Sequence, residues 1–534
     1  MAYYKDLREY IDVLEKNGKL FRITSEINKD TELHPLVRWE FRGLPEKERK
    51  AFLFEKMVDA RGRKYDTPVL VAAHAPCTEV YALAMNCEPE GITEKWRQAQ
   101  VNPIEPIVVD SGPVHEEVHM GDNLTEHGGI EEFPIPVSTP GFDNAPYFSA
   151  GNWVSKDPET GIYNVGNYRG MVKAQTRVGC DNFLPQHLRT HREKYKAMGK
   201  PVMPAAAVIG PTPNIGLVAV NKLPYEANEF AVAGGIAGEP VELVKCKTVD
   251  LLVPANAEIV IEGEIPTDML EKEGPFGEYN GYIGRAKMNL FLNITAITHR
   301  KKPIWNAFLS QFPPSESSLM TRLAFESVLY KFLRYDLSLH KLVDVGLHDE
   351  SCGRQFCVIS LKDPNQPEVW RALNGAVALM ADFGKIIVAV DDDIDPRDAD
   401  SVLWAMCFRM RPDKDIRITP AKTIAMDPSI ASPEETRYTD KPPEGTAMMI
   451  NATRKWAYPP VSMPRKEYME RAREIWEAEG LPPLTPKKPW HGYELGCWTD
   501  EDREEAELAL KGEHFKTGEK IMKHRTKDNN SEES

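Results

Sequence analysis

A ten-residue stretch near the middle of the chain combines two carboxylates with turn-forming residues. It reads Glu273-Gly274-Pro275-Phe276-Gly277-Glu278-Tyr279-Asn280-Gly281-Tyr282, with Glu273 and Glu278 five positions apart. Glycine permits positive φ or close approach to a ligand and proline restricts φ, so this loop can direct both carboxylates to one point. Neighbouring carboxyl groups suit acid–base chemistry because each shifts the pKa of the other. The alternative interpretation is a β-turn that carries two solvated glutamates.

Other residues that could bind a metal or catalyse a reaction are dispersed upstream of this stretch. They follow the order Asn164, Arg169, His187 and Glu229. Each also has an ordinary structural interpretation. Arg169 could be a solvated strand cation, His187 a surface helix residue and Glu229 a helix cap. The spacing of the set therefore does not by itself define one site.

One motif matches the zinc-peptidase pattern His-Glu-x-x-His. It is His115-Glu116-Glu117-Val118-His119. That chemistry needs both histidines on one face of a helix and a third ligand downstream. Gly112-Pro113 precedes the motif and Gly121-Asp122 follows it, which leaves barely one turn of possible helix. The sequence context predicts a polar surface strand or loop instead.

A run of aspartates resembles the start of a calcium-binding loop. The run is Asp391-Asp392-Asp393-Ile394-Asp395-Pro396. An EF-hand loop requires glycine at position six and glutamate at position twelve, where this chain has Pro396 and Val402. The end of a strand followed by the N-terminus of a helix explains the run better.

Composition and charge narrow the class of protein. The chain has 534 residues, of which 42% are hydrophobic and 28% charged, and its formal net charge is −15. These values are ordinary for a soluble protein of two to four domains. The absence of a long Lys/Arg cluster argues against nucleic-acid or membrane-surface partners. The sequence lacks an apolar signal region and a membrane-spanning run, and its eight scattered cysteines include no Cys-x-x-Cys. We therefore expect a cytoplasmic protein with reduced thiols.

Hydrophobic periodicity predicts an α/β unit over residues 1–115. Apolar positions at helical spacing indicate helices over Lys5–Glu15 and Glu32–Phe41. Short apolar runs between and after them, such as Leu20–Ile23, indicate strands.

The pattern of apolar and turn-forming residues changes over residues 116–314. Short β-type runs alternate with Gly, Pro and Asn, which predicts a barrel or sandwich. Ala206–Ile209, Ile215–Val220 and Leu290–Ile294 are among the predicted strands, and one helix is predicted over Pro185–Met198.

Two further units complete the chain. Residues 315–463 alternate helices with apolar strands, which predicts a second α/β domain. Residues 464–534 are charged and helix-forming, with a tail predicted to be disordered over residues 525–534. The predicted helices and strands of both units include Ser318–Leu337, Lys341–Val345, Pro367–Phe383, Lys385–Val390, Asp398–Arg409, Arg465–Glu479 and Asp500–Lys511.

Several ordered sequence blocks together resemble the UbiD-type decarboxylases, which use prenylated FMN. The most specific block is Glu273–Glu278, Glu-Gly-Pro-Phe-Gly-Glu. Leu184–His187, Gly238–Cys246 and Asp250–Ala255 also match family blocks. The resemblance implies a mixed α+β fold with a central split β-barrel domain that binds the flavin. It also implies a C-terminal α/β domain followed by a helical oligomerisation tail.

The resemblance further assigns ligands and catalytic residues. Asn164, His187 and Glu229 match the divalent-metal ligands, and a donor set without thiolate suits Mn²⁺ or Mg²⁺. The metal would join the cofactor phosphate to the protein, and K⁺ would lie beside it near the carbonyl groups of Val220 and Asn221. The residues that match the catalytic triad are Arg169, Glu273 and Glu278. The residues that match the cofactor-binding set are Asn164, Val165, Gly166, Asn167, Tyr168, Arg169, Gln186, His187, Glu229 and Lys385.

These residue types fit a decarboxylation. Loss of CO₂ from an sp² carbon needs an electron sink that side chains cannot supply, so a cofactor must supply it. Arg169 can hold the substrate carboxylate through charge-assisted hydrogen bonds. Glu278 must be protonated to deliver a proton, whereas Glu273 stays ionised beside Arg169.

The sequence leaves the substrate and the direction of the reaction open. Tyr279, Phe183 and the stretch 313–320 are the positions expected to face it. An aromatic or α,β-unsaturated acid is expected, and the length of the chain allows an aromatic acyl-CoA such as phthaloyl-CoA. Expected partners are a flavin prenyltransferase that supplies the cofactor and further copies of the chain, in a dimer or hexamer. The alternatives are a zinc peptidase that uses His115 and His119 and a non-catalytic subunit of a carboxylase complex.

Overall fold

The structure, a computed structural model, describes residues 2–182, 185–422, 426–430, 432 and 444–525. The first α/β unit places its helices against a sheet that also receives a strand from much later in the chain. The strand order of this sheet is β1-β2-β4-β20, and β3 also pairs with β2. The elements up to the central unit are α1 (Leu7–Lys16), β1 (Leu20–Asn28), α2 (Leu33–Gly43), β2 (Ala51–Val58), β3 (Lys64–Tyr65), β4 (Val69–Val71), α3 (Thr78–Ala84), α4 (Ile92–Val101) and β5 (Ile107–Val108). The strand β20 (Trp305–Ala307) pairs with β4 in parallel.

The first helix shows why the periodicity prediction succeeded. The side chain of Asp6 accepts hydrogen bonds from the N–H groups of Arg8 and Glu9, which caps the start of α1. The residues at helical spacing on its inner face are buried, namely Leu7, Tyr10, Ile11 and Leu14. They join a hydrophobic cluster that also includes residues of the central unit, among them Ala206 and Val208. The first unit and the central unit therefore share a hydrophobic core. The predicted boundary at residue 115 marks a change in sequence pattern and does not separate two cores.

The central unit is built on a ten-stranded sheet. Its main strand order is β7-β10-β11-β19-β15-β12-β8-β9, and β6 and β16 also pair with β19. No pairing joins β9 to β7 within the described residues, so the sheet does not close into a barrel by hydrogen bonding. The elements are β6 (Glu117–Met120), β7 (Tyr147–Phe148), β8 (Asn152–Lys156), β9 (Tyr163–Asn167), β10 (Gly170–Ala174), β11 (Arg177–Cys180), α5 (His187–Ala197), β12 (Val202–Ile209), α6 (Pro213–Val220), α7 (Glu229–Ala237), β13 (Glu242–Lys245), β14 (Leu252–Pro254), β15 (Ile259–Pro266), β16 (Glu271–Glu273), β17 (Phe276–Gly277), β18 (Ile283–Gly284) and β19 (Lys287–His299).

Strand β12 has its two faces in two different cores. Ala205, Ala207 and Ile209 belong to one hydrophobic cluster, whereas Ala206 and Val208 belong to the other. Successive side chains of a strand point to opposite faces, so a nearly continuous apolar run indicates a strand covered on both sides. Helices such as α6 pack against the second of these clusters.

The strand predicted over Ile215–Val220 is wrong. These residues belong to the helix α6, which begins with Pro213 after the N-cap residue Thr212. Every residue from Pro213 to Ala219 is buried. A helix buried on all sides has no polar face, and a short apolar run then looks like a buried strand.

The C-terminal α/β domain is a five-stranded sheet with helices on both faces. Strand order is β21-β22-β23-β25-β24, with β22, β23 and β25 parallel. One face packs against α8 and α9, and the other packs against α10.

Within the described residues, no helix is both long and apolar enough to cross a lipid bilayer. The elements are α8 (Glu316–Lys331), a π-helical turn (Phe332–Asp336), β21 (Leu342–Leu347), β22 (Phe356–Leu361), α9 (Gln366–Leu379), β23 (Ile386–Asp391), α10 (Ala399–Arg409), β24 (Ile416–Lys422) and β25 (Gly445–Asn451).

The aspartate run 391–395 lies between the end of a strand and the start of a helix, as predicted. Asp391 is the last residue of β23, and α10 begins at Ala399. The buried guanidinium of Arg409 donates to Asp391 at 3.0 Å and to both carboxylate oxygens of Asp393, at 2.8 and 2.6 Å. The run therefore binds an arginine, as its charge and position allow.

The C-terminal tail consists of the exposed helices α11 (Lys466–Ala478), α12 (Asp500–Leu510) and α13 (His514–Lys523), in agreement with the predicted helical tail. None of the three contains a buried residue. The connecting segment attaches to the α/β domain. Lys487 contacts Asp398 at 2.9 Å, and the Ser401 hydroxyl donates to the carbonyl of Lys488 at 2.6 Å. Nine of the ten residues of the tail predicted to be disordered, 526–534, lie outside the described residues.

Candidate active site

The two glutamates of the central loop lie at the ends of two short strands. Glu273 is the last residue of β16, and Glu278 directly follows β17, which pairs with β18 in a narrow hairpin. The N–H of Glu278 donates to the carbonyl of Tyr282 at 2.8 Å, and Gly281 within this turn has a φ of +93°. The positive φ explains the glycine, because other residues rarely adopt it. The loop is a turn, as predicted, but Glu273 is fully buried and Glu278 is 9% exposed, so they are not solvated.

Both carboxylates bind the guanidinium of Arg169, which follows β9. Arg169 donates from Nε to Glu273 Oε1 at 2.9 Å and from Nη2 to Glu273 Oε2 at 2.7 Å, and its Nη1 donates to Glu278 Oε1. The guanidinium also lies 5.0 Å from the centre of the Phe276 ring. Glu273 therefore holds Arg169 in a bidentate pair that fixes the plane of the guanidinium. Arg169 therefore contacts both other residues of the predicted triad.

A third carboxylate, Asp181, completes the cluster and was not predicted. Its Oδ2 lies 3.1 Å from Nη2 of Arg169, and its Oδ1 lies 2.8 Å from Nζ of Lys287. Asp181 is buried at the end of β11. An aspartate beside a strand end is a weak signal in a sequence, and only the pairing of β11 with β19 shows what it contacts.

The charges of this cluster favour a proton on Glu278. Burial raises the pKa of Glu278 above its ordinary value and Asp181 raises it further, whereas Arg169 and Lys287 act in the opposite direction. Burial alone would lower the pKa of Arg169, but Glu278, Asp181 and Glu273 raise it above its ordinary value. Three carboxylates against two cations leave an excess negative charge that one buried proton neutralises. Glu278 is the group that we expect to carry it.

Neighbouring side chains fix the backbone of the loop. Asp143 accepts from the N–H of Gly277 at 2.8 Å, and Asn144 donates to the carbonyl of Gly274 at 2.8 Å. The ring centres of Tyr147 and Phe276 are 4.4 Å apart. Burial raises the pKa of Asp143 to about 6. This support for the loop was not predicted from sequence, because it comes from residues about 130 positions upstream.

The predicted metal ligands lie on three elements around the start of α5 and α7. Asn164 is a buried residue of β9, His187 is the first residue of α5, and Glu229 is the first residue of α7. Nδ1 of His187 is 3.6 Å from Oε1 of Glu229, and the N–H of Val165 donates to Glu229 Oε2 at 3.3 Å. Burial raises the pKa of Glu229. The structure thus brings Glu229 next to His187 and to the backbone that follows Asn164.

Buried amide groups of the chain between β9 and α7 could satisfy a bound polar group. Asn167 Oδ1 and both side-chain polar atoms of Asn182 and Asn221 find no hydrogen-bond partner among the described residues. Unpartnered buried amides are costly unless a ligand or water satisfies them. Amide, imidazole and carboxylate ligands without thiolate also suit a hard divalent cation. The residues present therefore fit the phosphate-linked metal that the resemblance implies.

The rest of the predicted cofactor segment lies in and after β9. Val165 is buried, and Gly166 lies against the ring of Tyr168, whose hydroxyl oxygen would be 2.4 Å from a Cβ at that position. Asn167 donates to the carbonyl of Ser149 at 3.1 Å. Gln186 is the N-cap residue of α5. The glycine therefore makes room for a neighbouring tyrosine, which the sequence alone does not reveal.

Two predicted positions lie apart from these contacts. Lys385 precedes β23, and its ammonium group donates to Asp427 at 2.5 Å and to Ser429 at 2.7 Å. The structure describes no contact between Lys385 and the Arg169 cluster, so its role at a phosphate stays a prediction. Tyr279 is half-buried with its carbonyl 3.3 Å from the thiol of Cys352 in the C-terminal domain. Phe183 lies outside the described residues.

The start of the stretch 313–320 reaches the Glu273–Tyr282 loop. A Cβ at Gly281 would lie 3.4 Å from Pro313. Farther along, Glu316 is buried and accepts from the N–H of His74 at 2.8 Å, which makes it a structural residue. The beginning of the stretch therefore adjoins the turn between Glu278 and Tyr282.

The zinc-peptidase hypothesis lacks the helix that it requires. His115 ends a 3-10 turn, and His119 lies in the strand β6. The prediction of a strand or loop is confirmed. The two histidines therefore do not share one face of a helix, and the peptidase interpretation is wrong.

Two family models cover most of the chain. The 3-octaprenyl-4-hydroxybenzoate carboxy-lyase Rift-related domain matches residues 107–312. The 3-octaprenyl-4-hydroxybenzoate carboxy-lyase C-terminal domain matches residues 318–452. The boundary between the two matches falls close to the start of α8.

Full-length relatives and solved structures agree with these matches. An uncharacterized protein of Aquifex aeolicus is 31% identical over 511 residues, which cover 90% of this chain and 100% of that protein. The UbiD-class enzyme HmfF from Pelotomaculum thermopropionicum, in an evolved dimeric form in complex with prFMN, is 30% identical with a TM-score of 0.73. That match covers 86% of this chain and 97% of HmfF.

A third match is vanillic acid decarboxylase from Sedimentibacter hydroxybenzoicus in its closed form. It is 27% identical with a TM-score of 0.75, and the match covers 89% of this chain and 100% of that one. The mixed α/β architecture, the buried Arg169 cluster and these matches lead to one assignment. The chain belongs to the UbiD family of carboxy-lyases.

Proposed function

We propose that this protein catalyses the reversible, non-oxidative decarboxylation of an aromatic or α,β-unsaturated carboxylic acid with prenylated FMN. The observation that carries the proposal is the buried contact of Arg169 with Glu273 and Glu278. It combines a cation for a substrate carboxylate with an acid for proton delivery. The names of two solved relatives support it, since one was solved with prFMN and the other is a vanillic acid decarboxylase.

Asn164, His187 and Glu229 would hold Mn²⁺ or Mg²⁺ and, through it, the cofactor phosphate. The 3.6 Å approach of His187 to Glu229 supports this set. K⁺ would lie near Val220 and Asn221, where the Asn221 amide has no partner among the described residues. When bound, prenylated FMN supplies the electron sink that an sp² carbon needs on losing CO₂. A flavin prenyltransferase would supply the cofactor.

Arg169 would orient the substrate and Glu278 would move the proton. A protonated Glu278 no longer attracts Nη1 of Arg169 as a charge, so that N–H can turn to a substrate carboxylate. Glu273 keeps Arg169 in place through its two hydrogen bonds. As the C–C bond to the carboxylate breaks, CO₂ leaves and Glu278 delivers its proton to the same carbon. Glu278 then recovers a proton from solvent, and the same steps in reverse describe carboxylation.

The substrate class rests on the residues that adjoin the loop. Tyr279 and the start of the stretch 313–320 lie beside the Glu278 turn and offer apolar and aromatic surface. An aromatic acyl-CoA such as phthaloyl-CoA is a second candidate, which the substrate panel below tests. A non-catalytic subunit is disfavoured, because such a subunit has no need to keep three contacting catalytic groups buried together.

The experiment is co-expression with a flavin prenyltransferase, followed by an absorption spectrum and mass of the bound cofactor. The loaded protein is then assayed for CO₂ release from a panel of benzoic, cinnamic and furoic acids and aromatic acyl-CoA thioesters. Protein expressed without the prenyltransferase is the control. Decarboxylation that depends on the prenyltransferase supports the proposal. A protein that holds no flavin under either condition would overturn it.

His187→Ala should lose both the metal and most of the cofactor, because the two share one site. The control is His191→Gln, one helical turn later in α5, where the imidazole contacts the Ser155 hydroxyl at 3.0 Å. Manganese is measured by mass spectrometry and flavin by absorbance. Full manganese and flavin content in His187→Ala would contradict the ligand assignment.

A further inference from the structure

A second group of metal-ligating side chains lies at the opposite end of β19 from Glu273. His299 is the last residue of β19, His119 lies on the paired strand β6, and Glu132 ends a 3-10 turn after β6. Nε2 of His119 is 3.0 Å from Nε2 of His299, which is 3.8 Å from Oε1 of Glu132. One ligand atom from each residue lies within 4.8 Å of the others.

The ring of His299 is oriented as a metal-bound histidine would be. Its Nδ1 lies 2.6 Å from the carbonyl oxygen of Arg300. A carbonyl only accepts, so Nδ1 carries a hydrogen and Nε2, which faces His119, is the ring nitrogen left to bind a metal. Histidine ligands of metals characteristically donate their second ring N–H to a carbonyl or carboxylate. An edge-on contact with Phe133, at 5.5 Å between ring centres, also holds the ring.

The spacing of the three ligand atoms fits a small cation. Zinc binds imidazole nitrogen at about 2.0–2.1 Å, which places two nitrogen ligands about 3.3 Å apart in a tetrahedral site. The observed 3.0 Å between the two Nε2 atoms is close to that value. A hydrogen bond between the histidines would satisfy those two rings, but it gives the Glu132 carboxylate no role. A cation at the centre engages all three groups.

We propose that His119, Glu132 and His299 form a structural Zn²⁺ site. The fourth position is open to water or to His127, whose ring centre is 5.0 Å from that of His119. Twelve residue steps along β19 separate His299 from Lys287, the partner of Glu273, which is about 40 Å of strand. The site is therefore remote from the Arg169 cluster. It attaches the four-residue edge strand β6 and the turn after it to the central sheet.

The test uses the full chain, stripped of metal and then titrated with Zn²⁺ alone. Because the predicted active-site ligands can also take Zn²⁺, His119→Gln and His187→Ala are made singly and together. The expected stoichiometry is two zinc ions for the wild type, one for each single variant and none for the double variant. His115→Gln is the matched control, since His115 belongs to the same segment but not to the cluster, and it should behave as the wild type.

The result that would overturn the proposal is an equal zinc stoichiometry in the wild type and His119→Gln. Glu132→Gln, a change at a half-buried surface position, is a second variant in case His119→Gln fails to fold. It should weaken zinc binding by tenfold or more in the His187→Ala background. In that same background, Zn²⁺ should raise the melting temperature, and this rise should vanish with His119→Gln. An unchanged rise would also refute the site.

Discussion

Three carboxylates contact one buried guanidinium, and their different surroundings separate their roles. Glu273 occupies both Nε and Nη2 of Arg169, so it remains the anchor of the pair. Asp181 contacts Lys287 as well as Arg169, with 2.8 Å between its Oδ1 and the Lys287 Nζ. The lysine balances the negative charge of Asp181. Glu278 has a single hydrogen bond from Arg169 and a raised pKa from burial. It is therefore the group that can exchange a proton at the smallest electrostatic cost.

Glu278→Gln should retain the fold, the metal and the flavin but lose turnover. General acid catalysis is typically worth about 10²–10⁴-fold, and an amide cannot donate that proton. Glu278→Asp should keep part of the activity, because a shorter acid can still transfer a proton through water. Decarboxylation rate and solvent deuterium exchange at the product carbon are the measurements. Glu271→Gln is the control on the neighbouring strand, where the carboxylate pairs with Lys173.

Near-normal turnover by Glu278→Gln would refute the role of Glu278 as proton donor. It would leave Glu278 as a hydrogen-bonding residue within its turn. A loss of activity with Glu271→Gln equal to that with Glu278→Gln would also contradict the assignment, because it would show a general effect of charge in this loop.

The decarboxylation rate should fall as pH rises through the pKa of Glu278. That pKa is raised above the ordinary 4.5, so the acid form persists to a higher pH than for a solvated glutamate. At higher pH the ionised Glu278 also holds Arg169 and competes with the substrate carboxylate, so kcat/KM should fall as well. The pH–rate profile is the measurement. In Glu278→Gln the residual rate should no longer fall as the pH rises through this range. If the same fall remained in the variant, another group would be responsible for it.

The same raised pKa has a consequence for stability. The folded state binds the Glu278 proton more tightly than the unfolded chain does. The stabilisation that Glu278 adds to the free energy of unfolding is therefore fully present below pH 4.5. It is lost as the pH rises through the pKa that Glu278 has in the folded state.

At the scale of elements, the β17–β18 hairpin positions Glu278 by close packing. A Cβ at Gly284 of β18 would lie 2.5 Å from Oε1 of Glu278, so only glycine leaves room for the carboxylate. A Cβ at Gly277 would lie 2.2 Å from the Thr139 hydroxyl, so glycine lets β17 pack closely against the segment that carries Thr139. Gly277 within the motif and Gly284 after it therefore help to set the position of the acid.

Gly284→Ala should reduce turnover while Glu278 itself is intact. The added methyl group would displace the carboxylate, and a misplacement of about 1 Å can cost about 10²-fold in rate. The control is Gly43→Ala, where no atom lies within 4 Å of the new Cβ. Decarboxylation rate and flavin content are measured together. A fully active Gly284→Ala enzyme would show that Glu278 does not need its observed position.

At the scale of the molecule, the C-terminal tail presents apolar side chains to solvent. Tyr468 and Ile475 of α11 are 41% and 48% exposed, and Phe515 and Ile521 of α13 are more exposed still. Amphipathic helices normally cover such a face against another surface. This exposure supports the proposed dimer or hexamer, with the tail as part of the interface.

Ile475→Lys should weaken or abolish the oligomer, because it places a charge within the apolar face. Glu477→Lys is the matched control on the same helix, where the residue forms an exposed pair with Arg473. Size-exclusion chromatography with light scattering at micromolar concentration is the measurement. A wild-type chain that remains monomeric would contradict the oligomer, and equal effects of both variants would place the interface elsewhere.

The sequence by itself determined the family and the two α/β units, and through the family resemblance it predicted a role for Arg169, Glu273 and Glu278. Family blocks and hydrophobic periodicity are local, so they can be recognised without knowing which segments meet. The same local evidence failed over Ile215–Val220, because a helix buried on all sides shows no polar face.

Only the tertiary structure decided which side chains share a site. Arg169 meets Glu273 and Glu278 across 104 and 109 positions, and His119 meets His299 across 180. Asp181 joins the Arg169 cluster, and one histidine of a rejected motif joins a candidate zinc site, because of how strands pair on β19. Strand pairing depends on the packing of the whole sheet, and no local pattern of residues specifies it.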